Sequence, residues 1–159
     1  MTKDFVLDLI RQGEGQTIEF KEKMPKIPFS QLTKSLQTNQ IKLAYLFGSE
    51  ARGNAYQESD VDIAVLFYKN VKKEDYLLKE GKLIEIFSAL FPDKEINIVN
   101  LDIASPLLKQ SVVLEGKPLY IKNKLDQIFF QIQTLREYEE YNYLSCIYNQ
   151  ALDLKIKTL

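Results

Sequence analysis

Short apolar runs alternate with stretches of helical spacing along most of the chain. Residues 41–47 form an apolar run that ends at Gly48, and residues 61–67 form a second run of this kind. Such runs, bounded by glycine or polar residues, are too short for a core helix and predict strands. Residues 95–99 alternate polar and apolar side chains, which predicts a third strand. Residues 119–121 add a small fourth strand.

Apolar residues spaced by three and four positions predict the helices. Ser30 is a suitable N-cap for one helix, and Pro106 is a suitable first residue for another, which ends before Gly116. The interval 48–59 between the first two strands is polar and contains glycine, so we expect a turn region there. The predicted helices cover residues 3–11, 31–38, 72–90, 106–115 and, with interruptions, 123–155, while residues 17–20 form a brief strand and residues 21–29 a connector.

This alternation of helices and closely spaced strands predicts an α+β (α/β-like) fold, in which a mixed β-sheet has flanking helices. The length of 159 residues suits one ordinary domain. We divide the chain into an N-terminal helix and strand appendage over residues 1–29, a central domain over residues 30–122 and a C-terminal helix over residues 123–159.

Composition excludes several kinds of enzyme. The chain has no histidine, which excludes Ser-His-Asp hydrolysis, Cys-His proteolysis and zinc sites built on imidazole. Its one cysteine, Cys146, excludes an internal disulfide, and we expect it to be a small buried apolar residue. The net charge of -1 argues against a body that is held on nucleic acid by charge alone, so a nucleic-acid partner is not expected.

The chain shows no segment that predicts export or a membrane span. Asp4 and Asp8 interrupt any apolar stretch near the N-terminus, which argues against a signal peptide. No window holds about eighteen uncharged apolar residues, the length that a span needs. We therefore expect a soluble, cytoplasmic protein without a membrane partner.

Two aspartates stand at the start of the second predicted strand. Asp60 and Asp62 are two positions apart, so a strand would place both carboxylates on one face. Two anions this close repel each other unless a cation lies between them, and oxygen ligands of this kind suit Mg²⁺ or Mn²⁺. The alternative is that these aspartates only mark a solvated strand end or a helix cap, where a lone Asp-x-Asp is often found.

A glycine-led turn follows the first predicted strand. Gly48 lets the backbone turn sharply and approach a ligand, and the Ser49 hydroxyl adds a hydrogen-bond donor. Backbone N–H groups of the next helical turn could hold a phosphate, and Arg52 could reach the same anion. Gly-Ser alone is a common turn and Arg52 alone could be a surface residue. Their position between two apolar strands, next to an acid pair, favours nucleotidyl or phosphoryl transfer.

The order of these residues resembles the minimal nucleotidyltransferases of the DNA polymerase β superfamily. That signature is Gly-Ser, about ten residues and then Asp-x-Asp; here ten residues, 50–59, separate Gly48-Ser49 from Asp60. The resemblance covers about residues 41–122, includes Ser59 before the first aspartate, and is closest to MntA-type antitoxins, which are partners of HepT-type toxins with the HEPN fold. It implies that ATP is the substrate and that AMP is transferred to a tyrosine of the partner.

One position departs from this pattern. The family has a third acid on the next strand, and the matching residue here is Asn97. An amide oxygen can touch a metal ion, but it is a poorer ligand than a carboxylate and cannot take a proton. Glu95 lies two residues earlier and is the nearest substitute. Asn97 therefore leaves two hypotheses open, an adenylyltransferase and a nucleotide-binding module that neutralises its partner by covering it.

Two regions outside this motif have interpretations of their own. Residues 13–21 resemble the opening of the AlbA-like domain of Schlafen-type and transcription-regulator proteins, but only over a short stretch, so we interpret them as part of the appendage, with a nucleic-acid-linked regulator as a third hypothesis. Tyrosines crowd the C-terminal helix, which could pack on the domain or bind a partner; we expect both, with its outer face used for association with a partner or in a homo-oligomer. These tyrosines are Tyr138, Tyr141, Tyr143 and Tyr148.

Overall fold

The computed structural model describes residues 29–52 and 60–157. Four strands and five α-helices lie in these ranges, with one 3₁₀ turn before the third helix. The strands are β1 (Ile41–Phe47), β2 (Val61–Phe67), β3 (Ile96–Asn100) and β4 (Lys117–Ile121). The helices are α1 (Phe29–Thr38), α2 (Gly48–Arg52), α3 (Tyr76–Ser88), α4 (Pro106–Glu115) and α5 (Lys124–Lys157), and the 3₁₀ turn is Lys73–Asp75.

The four strands form one mixed sheet in the spatial order β3-β2-β1-β4. β1 is antiparallel to both β2 and β4, whereas β2 and β3 are parallel. Parallel neighbours need a long crossover, and α3 lies in the connection between β2 and β3. The predicted fold class is therefore confirmed.

Helices cover the sheet on both faces because side chains alternate along each strand. On one face, Ile63 of β2 belongs to a buried cluster that includes Leu36 of α1 and Phe87 of α3. On the other face, the next residue of β2, Ala64, belongs to a cluster with Phe130 of α5. Burial of large apolar side chains on both faces, at about 1.5–3 kcal/mol for each, holds the strands that carry the polar residues described below.

Most predicted elements agree closely with the observed ones. The bounds of β1, β2 and α4 are those predicted, and the remaining strands differ by one or two residues. Ser105 caps α4, because its hydroxyl accepts a hydrogen bond from the backbone N–H of Leu108, and Pro106 is the first residue of that helix. The predicted helix over residues 72–90 is divided into the 3₁₀ turn and the shorter α3.

Three predictions are corrected. The turn region predicted over residues 48–59 begins with the short helix α2. Ser30 lies inside α1 rather than before it, since the helix begins at Phe29. Cys146 is exposed, because α5 extends beyond the sheet at that point and leaves the thiol uncovered. The predicted elements over residues 3–11 and 17–20, and the motif at residues 13–21, lie outside the described residues.

The long helix α5 has two different halves. Its first part packs on the sheet and buries Gln127, Phe130 and Thr134. From about residue 138 onward nearly every side chain is exposed, and these include Tyr143 and Tyr148. In the part of the chain that the structure describes, no helix combines the length and the apolar character needed to cross a membrane.

Candidate functional site

Three neighbouring strands bring the predicted site residues to one edge of the sheet. Phe47, the last residue of β1, lies opposite Asp62 of β2, and Asp62 lies opposite Asn97 of β3. Gly48 follows Phe47 directly. The antiparallel pairing of β1 with β2 and the parallel pairing of β2 with β3 therefore align Gly48, Asp62 and Asn97 across the sheet.

The two aspartates lie on either side of one amide. The Asn97 Nδ2 atom is 3.4 Å from Asp62 Oδ1 and 3.5 Å from Asp60 Oδ2, and it donates a long hydrogen bond to each. Asp60 is exposed and Asp62 is half-buried, while the next residue, Ile63, is completely buried. Both carboxylates thus face one small space, and the packing of β2 into the core fixes their position.

Gly48 is required by its backbone and by its surroundings. Its φ of +74° lies in the left-handed region, which a residue with a side chain adopts only with strain. A Cβ atom built on Gly48 would also overlap the carboxylate of Asp62. The backbone at the junction of β1 and α2 can therefore approach Asp62 only because Gly48 has no side chain, and Ser49 is the next residue in the chain.

Arg52, predicted to contact a phosphate, forms an ion pair in this structure. Its Nη1 atom donates to Glu115 Oε2 of α4 at 2.8 Å, and both side chains are about half exposed. Exposed ion pairs contribute only about 0–1 kcal/mol, so this contact does not commit the guanidinium to Glu115. Ser59, the other predicted nucleotide ligand next to the aspartates, lies outside the described residues.

The set of oxygen atoms at this edge fits a magnesium ion. Mg²⁺ is usually held by one or two carboxylates, with water and substrate phosphates completing the octahedron. Asp60 and Asp62 supply two carboxylates, and Asn97 can supply an amide oxygen after a rotation of its side chain. In residues 29–52 and 60–157 no three acidic, histidine or cysteine side chains are grouped as metal ligands.

The sequence alone gave no indication of two contacts around α2. Glu50 forms an ion pair with Lys94 of the loop before β3, and Arg52 with Glu115. The partners are 44 and 63 positions apart in the chain, so no local spacing indicates them. Only the fold of the sheet, which places α2 between the α3–β3 loop and α4, brings these charges together.

A second concave region lies near the other end of the same strands. It is a groove of about 810 Å³ bounded by the end of β2 and by α5, and it is lined by alternating charges that include Lys42, Asp102 and Lys109. Burial raises the pKa of Asp102, although the Phe67 N–H and the charges of Lys109 and Lys42 act in the opposite direction. The groove is thus separate from the pair formed by Asp60 and Asp62.

Comparisons with known proteins agree with this geometry. The family model described as polymerase beta, nucleotidyltransferase matches residues 30–125. The protein adenylyltransferase MntA of Shewanella oneidensis is 32% identical over 118 residues, which make up 73% of this chain and 81% of that protein.

Solved structures with a similar fold come from toxin–antitoxin complexes. A chain of one complex with AMP-PNP has a TM-score of 0.59 and 27% identity, and the match covers 82% of this chain and 99% of that one. A chain of an MntA–HepT complex has a TM-score of 0.53 and 27% identity, with coverage of 80% and 96%. A chain from the complex of a tri-AMPylated HEPN toxin of Shewanella oneidensis with its MNT antitoxin has a TM-score of 0.54 and 26% identity, with coverage of 80% and 95%.

Proposed function

The chain belongs to the polymerase β nucleotidyltransferase family, and we propose that it transfers AMP from ATP to a protein acceptor as the antitoxin of a HepT-like toxin with the HEPN fold. One observation carries the proposal: the glycine-led turn lies against Asp62, and Asn97 joins Asp62 to Asp60. The adenylyltransferase MntA and the MntA–HepT complexes among the similar proteins support the nature of the reaction and of the partner.

Asp60 and Asp62 are the proposed metal ligands. They would hold Mg²⁺, or Mn²⁺, which when bound supplies charge neutralisation and polarisation of a phosphate oxygen. The chain's own contribution is to hold the two carboxylates together at the start of β2, with Asp60 directly before the strand and Asp62 in it. Asn97 adds a third polar group to this space, where it holds Asp60 and Asp62 together through its amide.

Gly48 and Ser49 are the proposed seat of the triphosphate. The absence of a side chain at Gly48 lets the backbone approach the nucleotide, and the Ser49 hydroxyl can donate to a phosphate oxygen. Arg52 is on the same short helix and can exchange its exposed contact with Glu115 for a phosphate. We include Ser59 because it directly precedes Asp60.

In the proposed reaction a hydroxyl of the acceptor attacks the α-phosphorus of ATP. A new P–O bond forms to the acceptor, the bond to the β-phosphate oxygen breaks and releases pyrophosphate, and the proton of the hydroxyl passes to solvent water. The residues at this edge position the phosphates and the acids, which is the main contribution that proteins make to phosphoryl transfer. Asn97 cannot accept the proton of the attacking hydroxyl, so the transfer is expected to be slower than with an acid at that position.

The proposed division of labour follows the chain. Residues 30–122 carry the transfer site, and the C-terminal helix over residues 123–159 provides a face for the partner. The exposed tyrosines of α5 support this assignment, because tyrosine brings both contact area and a hydrogen bond to interfaces. Residues 1–29 are an appendage to this unit.

The direct experiment is transfer of α-labelled ATP to a HepT-like protein with the HEPN fold, the proposed partner. Asp60→Asn should reduce labelling about a hundredfold or more, because it removes one of the two carboxylates of the metal site. Asp75→Asn is a matched control, since Asp75 is exposed and makes no capping hydrogen bond. Equal labelling by the wild type and Asp60→Asn would reject the role given to Asp60.

A second candidate function is favoured by Asn97. With an amide in place of the third acid, the chain could bind nucleotide and neutralise its partner only by covering it. The variant with both Asp60→Asn and Asp62→Asn separates the two functions. If it still neutralises toxicity as well as the wild type does, neutralisation rests on binding; if toxicity returns, neutralisation requires transfer.

A further inference from the structure

The short helix α2 is held in place by its surroundings. A helix of five residues is not stable alone, so tertiary contacts must set the position of Ser49, its second residue. Ala51 is buried in the core and anchors the inner face of the helix. The outer side chains, Glu50 and Arg52, each form an ion pair with a different neighbouring element.

The Glu50–Lys94 pair connects the two parts of the proposed site. Glu50 directly follows Ser49, and Lys94 lies three positions before Asn97 in the loop that leads into β3. The backbone N–H of Lys94 also donates to the carbonyl of Phe91 at 3.2 Å, which closes a turn within this loop. The pair therefore links the turn that carries Ser49 to the strand that carries Asn97.

This pair is better shielded than the other ion pair of α2. The side chains of Glu50 and Lys94 are 24% and 25% exposed, whereas those of Glu115 and Arg52 are 45% and 52% exposed. Salt and water screen partly buried charges much less than exposed ones. The Glu50–Lys94 contact is thus the stronger electrostatic restraint on the position of α2.

We propose that Lys94 is a positioning residue for nucleotide binding, which acts by pairing with Glu50 and so prevents that carboxylate from repelling the triphosphate. The inference rests on the proposed function of Ser49 and its turn. Glu50 places a negative charge next to the residue that receives phosphate, and a like charge at this range weakens binding unless a cation neutralises it. Lys94 both neutralises Glu50 and holds it on the side of α2 that faces the β3 loop.

This role predicts an asymmetry between variants. Lys94→Gln leaves Glu50 unpaired next to the phosphate site, so the dissociation constant for MgATP should rise about tenfold. Glu50→Gln removes the repelling charge together with its partner contact and should raise this constant only about twofold to threefold. The double variant Glu50→Gln with Lys94→Gln should bind MgATP better than Lys94→Gln alone, because the unpaired charge is gone.

The test measures MgATP binding by titration calorimetry without an acceptor, beside the thermal midpoint of each variant. Lys82→Gln is the matched control, since Lys82 is an exposed lysine on α3. The proposal expects recovery of binding in the double variant and a loss in Lys94→Gln that shrinks as salt is added. A merely structural pair would give a double variant that binds no better than Lys94→Gln, and that result overturns the proposal.

Two further measurements distinguish a failure of the role given to Lys94 from a failure of the proposed function. At saturating ATP the transfer rate of Lys94→Gln should stay within about threefold of the wild type, because the residue acts on binding rather than on the reacting atoms. If the wild type binds no MgATP, the proposed function fails. If the wild type binds MgATP and Lys94→Gln binds it equally well, only the role of Lys94 is rejected.

Discussion

Each end of β3 has an asparagine side chain in contact with aspartate, but the asparagine donates hydrogen bonds at one end and accepts one at the other. At the start of the strand the Asn97 amide donates to the carboxylates of Asp60 and Asp62. At its end the Asn100 side-chain oxygen accepts from the backbone N–H of Asp102 at 3.0 Å, and Asp102 Oδ2 accepts from the N–H of Phe67 at 3.1 Å. At the start of β3, the asparagine brings two carboxylates together. At its end, the Asp102 carboxylate binds the backbone of β2 at Phe67.

The difference lies in what remains unsatisfied. Asp102 accepts a hydrogen bond from the backbone and interacts with the positive charges of Lys109 and Lys42. Its carboxylate therefore stabilises the fold. Asp60 and Asp62 each accept one long hydrogen bond from the same amide and keep most of the four lone-pair positions that each carboxylate offers. Acids with spare acceptors facing each other are suited to a cation, whereas an acid used by the backbone is part of the fold.

The largest expected effect is on AMP transfer, and it tests the acid pair beside the start of β3. Asp62→Asn should lower AMP transfer about a hundredfold or more, because one of the two carboxylates proposed to hold the metal is lost. Its thermal midpoint should stay equal to that of the wild type or rise, since the substitution relieves repulsion with Asp60 at a half-buried position. Label transfer and thermal unfolding are the two measurements.

A transfer rate within about threefold of the wild type would contradict the role of Asp62. A large fall in the thermal midpoint would instead place Asp62 with Asp102, as an acid that serves the fold. The two measurements together decide whether Asp62 acts as a metal ligand or stabilises the fold as Asp102 does.

The next effect is on stability, and it tests Asp102 beyond the end of β3. Asp102→Ala removes the acceptor of the Phe67 N–H and should lower the free energy of unfolding by about 1–3 kcal/mol. The transfer rate of each folded molecule should not change, because Asp102 lies near the other end of the sheet from Asp62. Denaturant unfolding beside a transfer assay makes the comparison, with Asp102→Asn as the control because it keeps an oxygen that can accept from Phe67. Equal loss of stability in both variants would show that the hydrogen bond is not what Asp102 contributes.

The strands could be predicted because their sequences determine them locally. The apolar runs that become β1 and β2 are bounded by glycine and by polar residues, and the fold buries nearly all of each run. The alternation of side chains also indicated that Asp60 and Asp62 share a face, and the structure places both beside Asn97. These features need only the period of a strand.

The remaining features depend on contacts across the chain. Ion pairs such as Glu50–Lys94 join residues far apart in sequence, so no periodicity indicates them. The short helix α2 was interpreted as a turn because a polar segment of five residues has no apolar repeat long enough to detect, and burial of Ala51 supplies what propensity lacks. Cys146 was wrongly predicted to be buried, since its small apolar side chain does not reveal that α5 extends beyond the sheet.

A smaller effect sharpens the comparison at Asn97 itself. Asn97→Asp replaces the amide between Asp60 and Asp62 with a third carboxylate, which is a better metal ligand and can take a proton. Without a divalent cation the variant should be less stable than the wild type, because three like charges face each other. With Mg²⁺ its transfer rate should rise about tenfold.

Transfer assays and thermal unfolding with Mg²⁺ and with a chelator measure this pair of effects. Asn97→Ala is the control, since it removes the amide without adding charge and should not gain activity. Unchanged or lower transfer by Asn97→Asp in Mg²⁺ would show that the missing acid does not limit the reaction.

The smallest expected effect is the pH dependence of Asp102. Burial raises the pKa of this carboxyl above its ordinary value, and the Phe67 hydrogen bond and the lysine charges offset only part of that rise. The protonated form is therefore favoured by folding, so its contribution is fully present below the unfolded pKa of about 3.9 and is lost as pH rises through the folded pKa. Compared with Asp102→Asn, which does not titrate, the wild type should lose stability as the pH increases above about 4. Denaturant unfolding of both proteins from about pH 3 to pH 7 measures the difference, and a wild type that instead gains stability over this interval would mean that Lys42 and Lys109 outweigh burial and that the acid at this end of β3 is held as an ion.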